Sequence, residues 1–566
     1  MLQQKTAIAK FVSDALSLPE ADVSTMIEYP PNPELGDLAL PCFRFAKTLR
    51  RSPQDIAKDV AGVLSATGQF ASVEAVGGYV NVKLQRELVF KDVVRTLQED
   101  PEKLFSRKRG VGRTAAIDYS SPNIAKPFSV GHLRSTVIGQ AIVHMLKADG
   151  WKVVGINHLG DWGTQFGKTI VAYLKWGDEE VVRQNPVREL FKLYVKFHEE
   201  AQANPELEEE AREWFKKLED GDPEATRLWQ WFISESLKVF RSMYDRLGVT
   251  FDHYLGESFY NDKMQAVVDE LRDKNLLVES EGAEVVDLSA WNMPPCIIVK
   301  SDGATIYATR DLAAANYRHD EFGADTLIYV VGAEQTLHFS QVFKVLELME
   351  RPWAKNCKHV AFGMMKYNGE RMSTRRGKVV YLEDVLEKAV DEARKIIEEK
   401  NPNLADKDAV AEAVGIGAVI FNDLKSYRMH DVDFRFEDVL NFDGETGPYA
   451  QYTHARACSV LRKAEESGFQ PADDFQVMGV HDSEWRLIYQ LGQAQEVLER
   501  AVDDLDPSLI ARFVLDVCHA FNRFYHDCPI LSAEAERAQR LALTNATRKA
   551  LAYGLHLLGL KAPTAM

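Results

Sequence analysis

The segment 114–157 constrains the fold more than any other stretch of the chain. Thr114 to Tyr119 is strand-like, a loop of Ser, Pro and Asn follows, a helical pattern runs from Gly131 to Gly150, and Val153 to Asn157 reads as a second strand. A strand–helix–strand unit of this kind crosses over right-handedly and builds a parallel sheet. The loop after its first strand then lies at the carboxyl edge, where open sheets bind ligands. Residues 177–222 are polar and rich in Glu and Lys, which predicts a solvated helical insertion without a chemical motif. Strand-like runs return at Val285–Val286, Ile297–Val299 and Thr326–Val331, so the core sheet is expected to resume there and to close near Tyr381.

The flanks have different patterns. Ser52-Pro53 reads as an N-cap followed by proline at the first helical position. Tyr79 to Leu84 alternates, with Val80, Val82 and Leu84 on one face of a strand. Arg107, Lys108, Arg109 and Arg113, among glycines, read as a basic linker. Beyond Leu382 the pattern is helical, as where Asp506 caps, Pro507 starts and Ile510, Phe513, Val514, Val517, Phe521 and Phe524 recur at helical spacing. The fold class that follows is α/β: a Rossmann-type parallel-sheet core with an α+β N-terminal domain and an all-α C-terminal bundle.

Composition excludes several classes. The longest apolar run, Ala413 to Phe421, is far below the roughly 20 residues of a membrane span, so no membrane partner is expected. The first twenty residues read as an amphipathic helix and not as a leader, which points to the cytoplasm. Six scattered cysteines without C-x-x-C spacing read as free thiols, and no tightly bound metal is expected. The formal charge of -17 opposes indiscriminate nucleic-acid binding but permits local basic patches.

The chemistry concentrates in the loop after the first strand, Asp118 to Thr136. A helix N-terminus there offers unpaired N–H groups and a positive dipole end, and Gly131 removes a side chain that would block a nucleotide. Lys126 and His132 add donors for phosphate oxygens. By contrast, Gly163-Thr-Gln-Phe-Gly167-Lys168-Thr169 has one residue too few between its glycines to be a P-loop.

The segment Ser120–Thr136 resembles the HIGH-motif segment of class I aminoacyl-tRNA synthetases, specifically the arginyl enzymes. Asn157–Gly163, Tyr307–Asp311, Val331–Phe339, Arg371–Arg375 and Gly447–Tyr452 agree with the same family, so the resemblance runs through nearly the whole chain. Two positions depart from it. Ser129 stands where the signature has its first histidine, and Arg371-Met372-Ser373-Thr374 stands where a KMSK signature has two lysines. Family members lacking the second lysine carry one just upstream of HIGH, and Lys126 occupies that position.

The resemblance implies arginine–tRNA ligase activity: ATP, arriving with Mg2+, and L-arginine give arginyl-adenylate, and arginine then passes to the 3′-terminal adenosine of tRNA(Arg). It assigns catalytic roles to Lys126, Ser129, His132, Arg371, Ser373 and Arg375. ATP would be bound by Lys126, Gly131, His132, His338, Met372 and Ser373. A guanidinium is planar and always ionised, so its pocket needs carboxylates. Asp118, Tyr307 and Asp311 are the candidates for the side chain, and Asn123, Gln335, Ser121 and Asp118 for the α-amino and α-carboxylate groups. Asp118 and Asp311 are expected to reach one ligand from two separate strand ends. For tRNA the family positions are Tyr79 and Asn81 in the N-terminal domain and Tyr449, Tyr452, Arg456 and Met566 in the bundle, where each is equally readable as core or helix surface. Expected domains are 1–110, 111–437, with connecting helices from about 382, and 438–566, and a monomer is expected. Two other readings stand beside this one, a non-catalytic tRNA-binding paralogue and a small-molecule nucleotidyltransferase of the same core fold.

Overall fold

A computed structural model describes residues 1–371 and 380–566. The described chain divides into two compact units. One comprises residues 1–107, 453–499 and 513–553, and the other comprises 108–452, 500–512 and 554–566.

In the first unit, an N-terminal helix Leu2–Leu16 and the proline-started helix Pro53–Ala66 accompany a three-stranded antiparallel sheet whose central strand is Tyr79–Lys83. Ser52 caps as its sequence predicts, its Oγ accepting the Asp55 N–H at 3.1 Å. Asp37 joins this layer to the helices of the same unit: its carboxylate accepts Trp485 Nε1–H at 2.9 Å and its carbonyl accepts the Tyr489 hydroxyl at 3.0 Å.

The second unit holds the nucleotide-type core. Five parallel strands, β1 (Thr114–Asp118), β2 (Lys152–Asn157), β3 (His253–Tyr254), β4 (Thr326–Gly332) and β5 (Cys357–Phe362), lie in the order β5-β4-β1-β2-β3. Helix α1 (Val130–Ala148) links β1 to β2 and is buried along most of its length, as a helix under a parallel sheet must be. The interval between β2 and β3 is helical and includes α2 (Pro186–Ala203) and α3 (Pro223–Leu247). After β3 come α4 (Tyr307–Phe322), α5 (Thr336–Leu348), α6 (Leu382–Lys400) and α7 (Lys407–Leu424). Ala116, Ile156, Leu312, Leu327, Val342 and Leu346 form part of one core.

Two expectations are corrected. The runs at Val285–Val286 and Ile297–Val299 are strands, but of a separate three-stranded antiparallel sheet. Glu281 and Gly282, both at positive φ, make the two-residue turn of a hairpin there, so Val285–Val286 pairs antiparallel with the strand before it and with Cys296–Val299 after it. The core sheet accordingly ends at Phe362, and Met365–Tyr367 pairs instead with Val432–Phe434 and Glu370–Arg371. Arg134 ties this region to α1: fully buried, it pairs with Asp423 at 3.2 Å and donates to the carbonyls of Gly363 and His430 at 2.8 Å each.

Candidate active site

A cleft of about 520 Å3 opens at the carboxyl ends of β1 and β4, where the connections out of the sheet diverge. The loop leaving β1 turns through Ser120, Ser121 and Ala125, non-glycine residues at φ 74°, 47° and 58°. Such conformations persist only when their surroundings over-determine them. Here the Ser120 N–H donates to Ser135 Oγ at 2.9 Å, Ser135 donates to the Val330 carbonyl at 2.7 Å, and Ser120 Oγ lies 2.7 Å from both Thr136 Oγ1 and Tyr244 Oη. The turn is thereby pinned to α1, β4 and α3.

Asp118 and Asp311 both line the cleft, although Asp311 reaches it from helix α4, one turn in from its start, and not from a strand end. Tyr307 and Asp311, four apart, share a helix face there, and Tyr307 is 66% exposed. Asp118 is buried with partners on both oxygens: Ser121 donates to Oδ1 at 2.8 Å, and the buried Arg318 reaches Oδ2 at 2.8 Å. The Asp311 carboxylate lies 2.5 Å from His338 Nε2. His338, expected on the nucleotide, is thus joined to the same carboxylate that is expected to meet arginine. Asn123 and Gln335 also line the cleft, and Asn123 Oδ1 sits 2.1 Å from where a Cβ on Gly160 would be, so only glycine fits under it.

At the helix N-terminus, Gly131 and His132 line the cleft and Ser129 is the N-cap. The Ser129 N–H donates to His132 Nδ1 at 3.1 Å. Burial pushes the imidazole down to about 4, with Lys126 acting in the same direction against the Ser129 hydrogen bond. A neutral ring accepting at Nδ1 carries its proton on Nε2, leaving that nitrogen a donor. Lys126 itself is not among the cleft-lining residues, and its Nζ lies 5.4 Å from the Tyr194 ring centroid. Arg371 ends a short strand with Glu370, while Met372, Ser373 and Arg375 lie outside the described residues.

His158, Glu257, Arg310 and Glu334 line the cleft as well and were missed in sequence. His158 directly follows the last residue of β2, a position the carboxyl-edge rule could have flagged. Burial raises the Glu257 carboxyl above its ordinary range, with Arg310 opposing. Asp161 accepts the Ser258 N–H and hydroxyl at 2.8 and 2.7 Å and so braces a loop. The P-loop look-alike starts a helix whose Lys168 pairs with Glu208 at 2.9 Å.

The expected RNA contacts are spread along the chain. Tyr79 is 40% exposed and packs edge-on against the exposed Phe43, whereas Asn81, on the same strand, is buried. Tyr449, Tyr452 and Arg456 belong to one helix, Gly447–Glu466: Tyr452 is exposed, Tyr449 half-buried, and Arg456 donates to Asn522 Oδ1 at 2.5 Å. The Met566 carbonyl accepts from Asn401 Nδ2 at 3.2 Å. The basic linker is largely paired, Arg107 with Glu499, Arg109 with Asp149 and Asp503, and Arg113 over the Trp151 ring.

The family model for the class I (R) tRNA synthetase catalytic domain matches residues 94–436, and that for the arginyl tRNA synthetase N-terminal domain matches 3–84. The Arginine–tRNA ligase 1 of Bacillus cereus is 51% identical over 571 residues, covering 100% of both chains. The chain belongs to the arginyl-tRNA synthetases. The DALR anticodon binding domain of the family matches residues 450–566. The ligase of Clostridium perfringens is 49% identical over 99% of each chain, and the solved arginyl-tRNA synthetase of Thermus thermophilus aligns over 99% of each chain with a TM-score of 0.83 at 27% identity. As an arginyl-tRNA synthetase the protein is an aminoacyl-tRNA ligase whose partners are arginine, ATP and tRNA(Arg). Among the described residues no helix is long and apolar enough to cross a membrane, and no cluster of three metal-ligating side chains occurs.

Proposed function

We propose that the cleft first joins arginine to AMP and then passes it to tRNA. The arginine carboxylate attacks the α-phosphate of MgATP in line, pyrophosphate leaves, and the adenylate acylates the terminal ribose of the tRNA. Neither step needs a protein nucleophile, so positioning and charge stabilisation supply the catalysis. One observation carries this reading: the carboxylates Asp118 and Asp311 and the N-terminus of α1 line the same cleft.

Because both oxygens of Asp118 already have protein partners, Asp311 supplies the charge-assisted bond to the substrate guanidinium, oriented by His338 and flanked by Tyr307. Asp118 and Ser121 shape the wall, and Asn123 and Gln335 take the α-amino and α-carboxylate groups. Gly131 and His132 receive the nucleotide, with Ser129 fixing the His132 ring. Lys126 takes the place of the lysine absent at Thr374, and the segment Arg371–Arg375 completes the phosphate end. Tyr79, Tyr449, Tyr452, Arg456 and Met566 meet tRNA. The working division is 1–110, 111–437 and 438–566, in a cytoplasmic monomer.

The test is arginine-dependent exchange of pyrophosphate into ATP, with and without tRNA. Exchange that requires tRNA supports the assignment, and none in either condition refutes it. Lys126→Ala should slow adenylate formation far more than it weakens arginine binding, and equal losses would make Lys126 structural.

A further inference from the structure

The helical insertion, read from sequence as a solvated appendage, braces two parts of the phosphate end. Its helix α2 buries a stripe of Val187, Leu190, Phe191 and Phe197. Tyr194, four residues after Leu190 and three before Phe197, falls on that stripe. The ring is half-buried, its centroid lies 4.6 Å from that of His198 in an edge-to-face arrangement, and the Lys126 ammonium lies 5.4 Å from its centroid. That is within the range at which an aromatic face attracts an ammonium. Six residues earlier on α2, the Arg188 guanidinium carbon lies 4.0 Å from the Tyr381 ring centroid. Arg188 also pairs with Asp384, and with Glu383 at 3.5 Å, in the first turn of α6.

Tyr381 bridges Ser129, the N-cap of α1. The bridge is backbone pairing: the Val130 N–H donates to the Val380 carbonyl at 3.2 Å and the Leu382 N–H to the Phe128 carbonyl at 3.0 Å. One helix therefore touches the lysine on the β1–α1 loop and the residues bridged to the helix N-cap.

We propose that α2 is a positioning element for adenylate formation, with Tyr194 orienting Lys126 and Arg188 holding residues 380–382 against Ser129. The inference rests on the reading of Lys126 as the phosphate cation. An ammonium on a flexible four-carbon stem has many rotamers to lose, and a ring that restricts them in advance lowers the cost of reaching the reacting geometry.

The experiment measures tRNA-dependent pyrophosphate exchange for Lys126→Met, Tyr194→Leu, Tyr194→Phe, Arg188→Met and the double variant Lys126→Met/Tyr194→Leu. Tyr194→Leu should lower kcat about tenfold with the KM for arginine unchanged, and Tyr194→Phe, which keeps the ring, should restore it. In the Lys126→Met background the Leu substitution should have no further effect. Arg188→Met should lower kcat without changing the KM for arginine. A Tyr194→Leu loss of equal size in both backgrounds, failure of Phe to rescue, or a rise in the KM for arginine in step with the loss in kcat overturns the bracing role. An unchanged kcat in Lys126→Met overturns the reading of Lys126 itself.

Discussion

Replacing Asp311 by Asn removes one negative charge from the cleft and preserves its shape. The Asn carbonyl can still accept from His338 Nε2, which lies 2.5 Å from the carboxylate, so the imidazole keeps its orientation. What is lost is the charge assistance to the substrate guanidinium. Hydrogen bonds to charged groups contribute about 1.5–3 kcal/mol and neutral ones about 0.5–1.5, so the loss is about 1–2 kcal/mol. The Asp311 side chain is 21% exposed, shielded enough for that range to hold. At about 1.36 kcal/mol per factor of ten, the KM for arginine should rise about 5- to 30-fold. The assay is tRNA-dependent pyrophosphate exchange, titrating arginine at saturating ATP and then ATP at saturating arginine. The KM for ATP should stay where it is. A KM for arginine that does not move, or equal rises in both constants, would refute the assignment of Asp311 to the guanidinium.

Arg318→Met strands the Asp118 carboxylate, whose side chain is only 7% exposed, and losing one partner of a buried pair costs about 3–5 kcal/mol. The urea midpoint should fall sharply, and Asp118→Asn added to Arg318→Met should recover most of the loss; no recovery would show that the pair is not what holds the region. Acid should destabilise the protein through His132 and His144, each held down to about 4 by burial from an ordinary 6.5. Between pH 6.5 and about 4 the unfolded chain binds protons that the folded imidazoles refuse, so stability is lost as pH falls through that window and these two groups cost nothing above it. His132→Gln should shrink the difference in urea midpoint between pH 7.5 and 5, and an unchanged difference would exclude His132.

Local grammar made single elements of both units legible. Ser52-Pro53, the long buried α1 and the alternation at Tyr79–Lys83 each have a structure that depends on their own residues. Tyr307 and Asp311 share a face because four residues make about one helical turn, and that spacing is visible in sequence. Partnership across the chain was not legible. Nothing near Asp118 announces that Arg318, two hundred positions later, neutralises it, although Arg318 lies seven residues past Asp311, on one helix face. The strands at 283–286 and 296–299 were recognisable as strands, but periodicity carries no information about which sheet a strand joins. Glu257 escaped because it follows β3, a strand of two residues that is too short to show a pattern. The insertion looked inert because Arg188 and Tyr194 act through residues 381 and 126, both remote in sequence.

The central claim is that one fixed carboxylate in this cleft, Asp311 held by His338, reads the charge of the amino acid side chain. L-Citrulline tests it directly, since it keeps the length and planarity of arginine and replaces the guanidinium with a neutral urea. In tRNA-dependent pyrophosphate exchange citrulline should be rejected by ~10⁴-fold in kcat/KM, because its carbonyl would face the Asp311 carboxylate and leave that charge unpaired. Exchange with citrulline within about tenfold of that with arginine would contradict it.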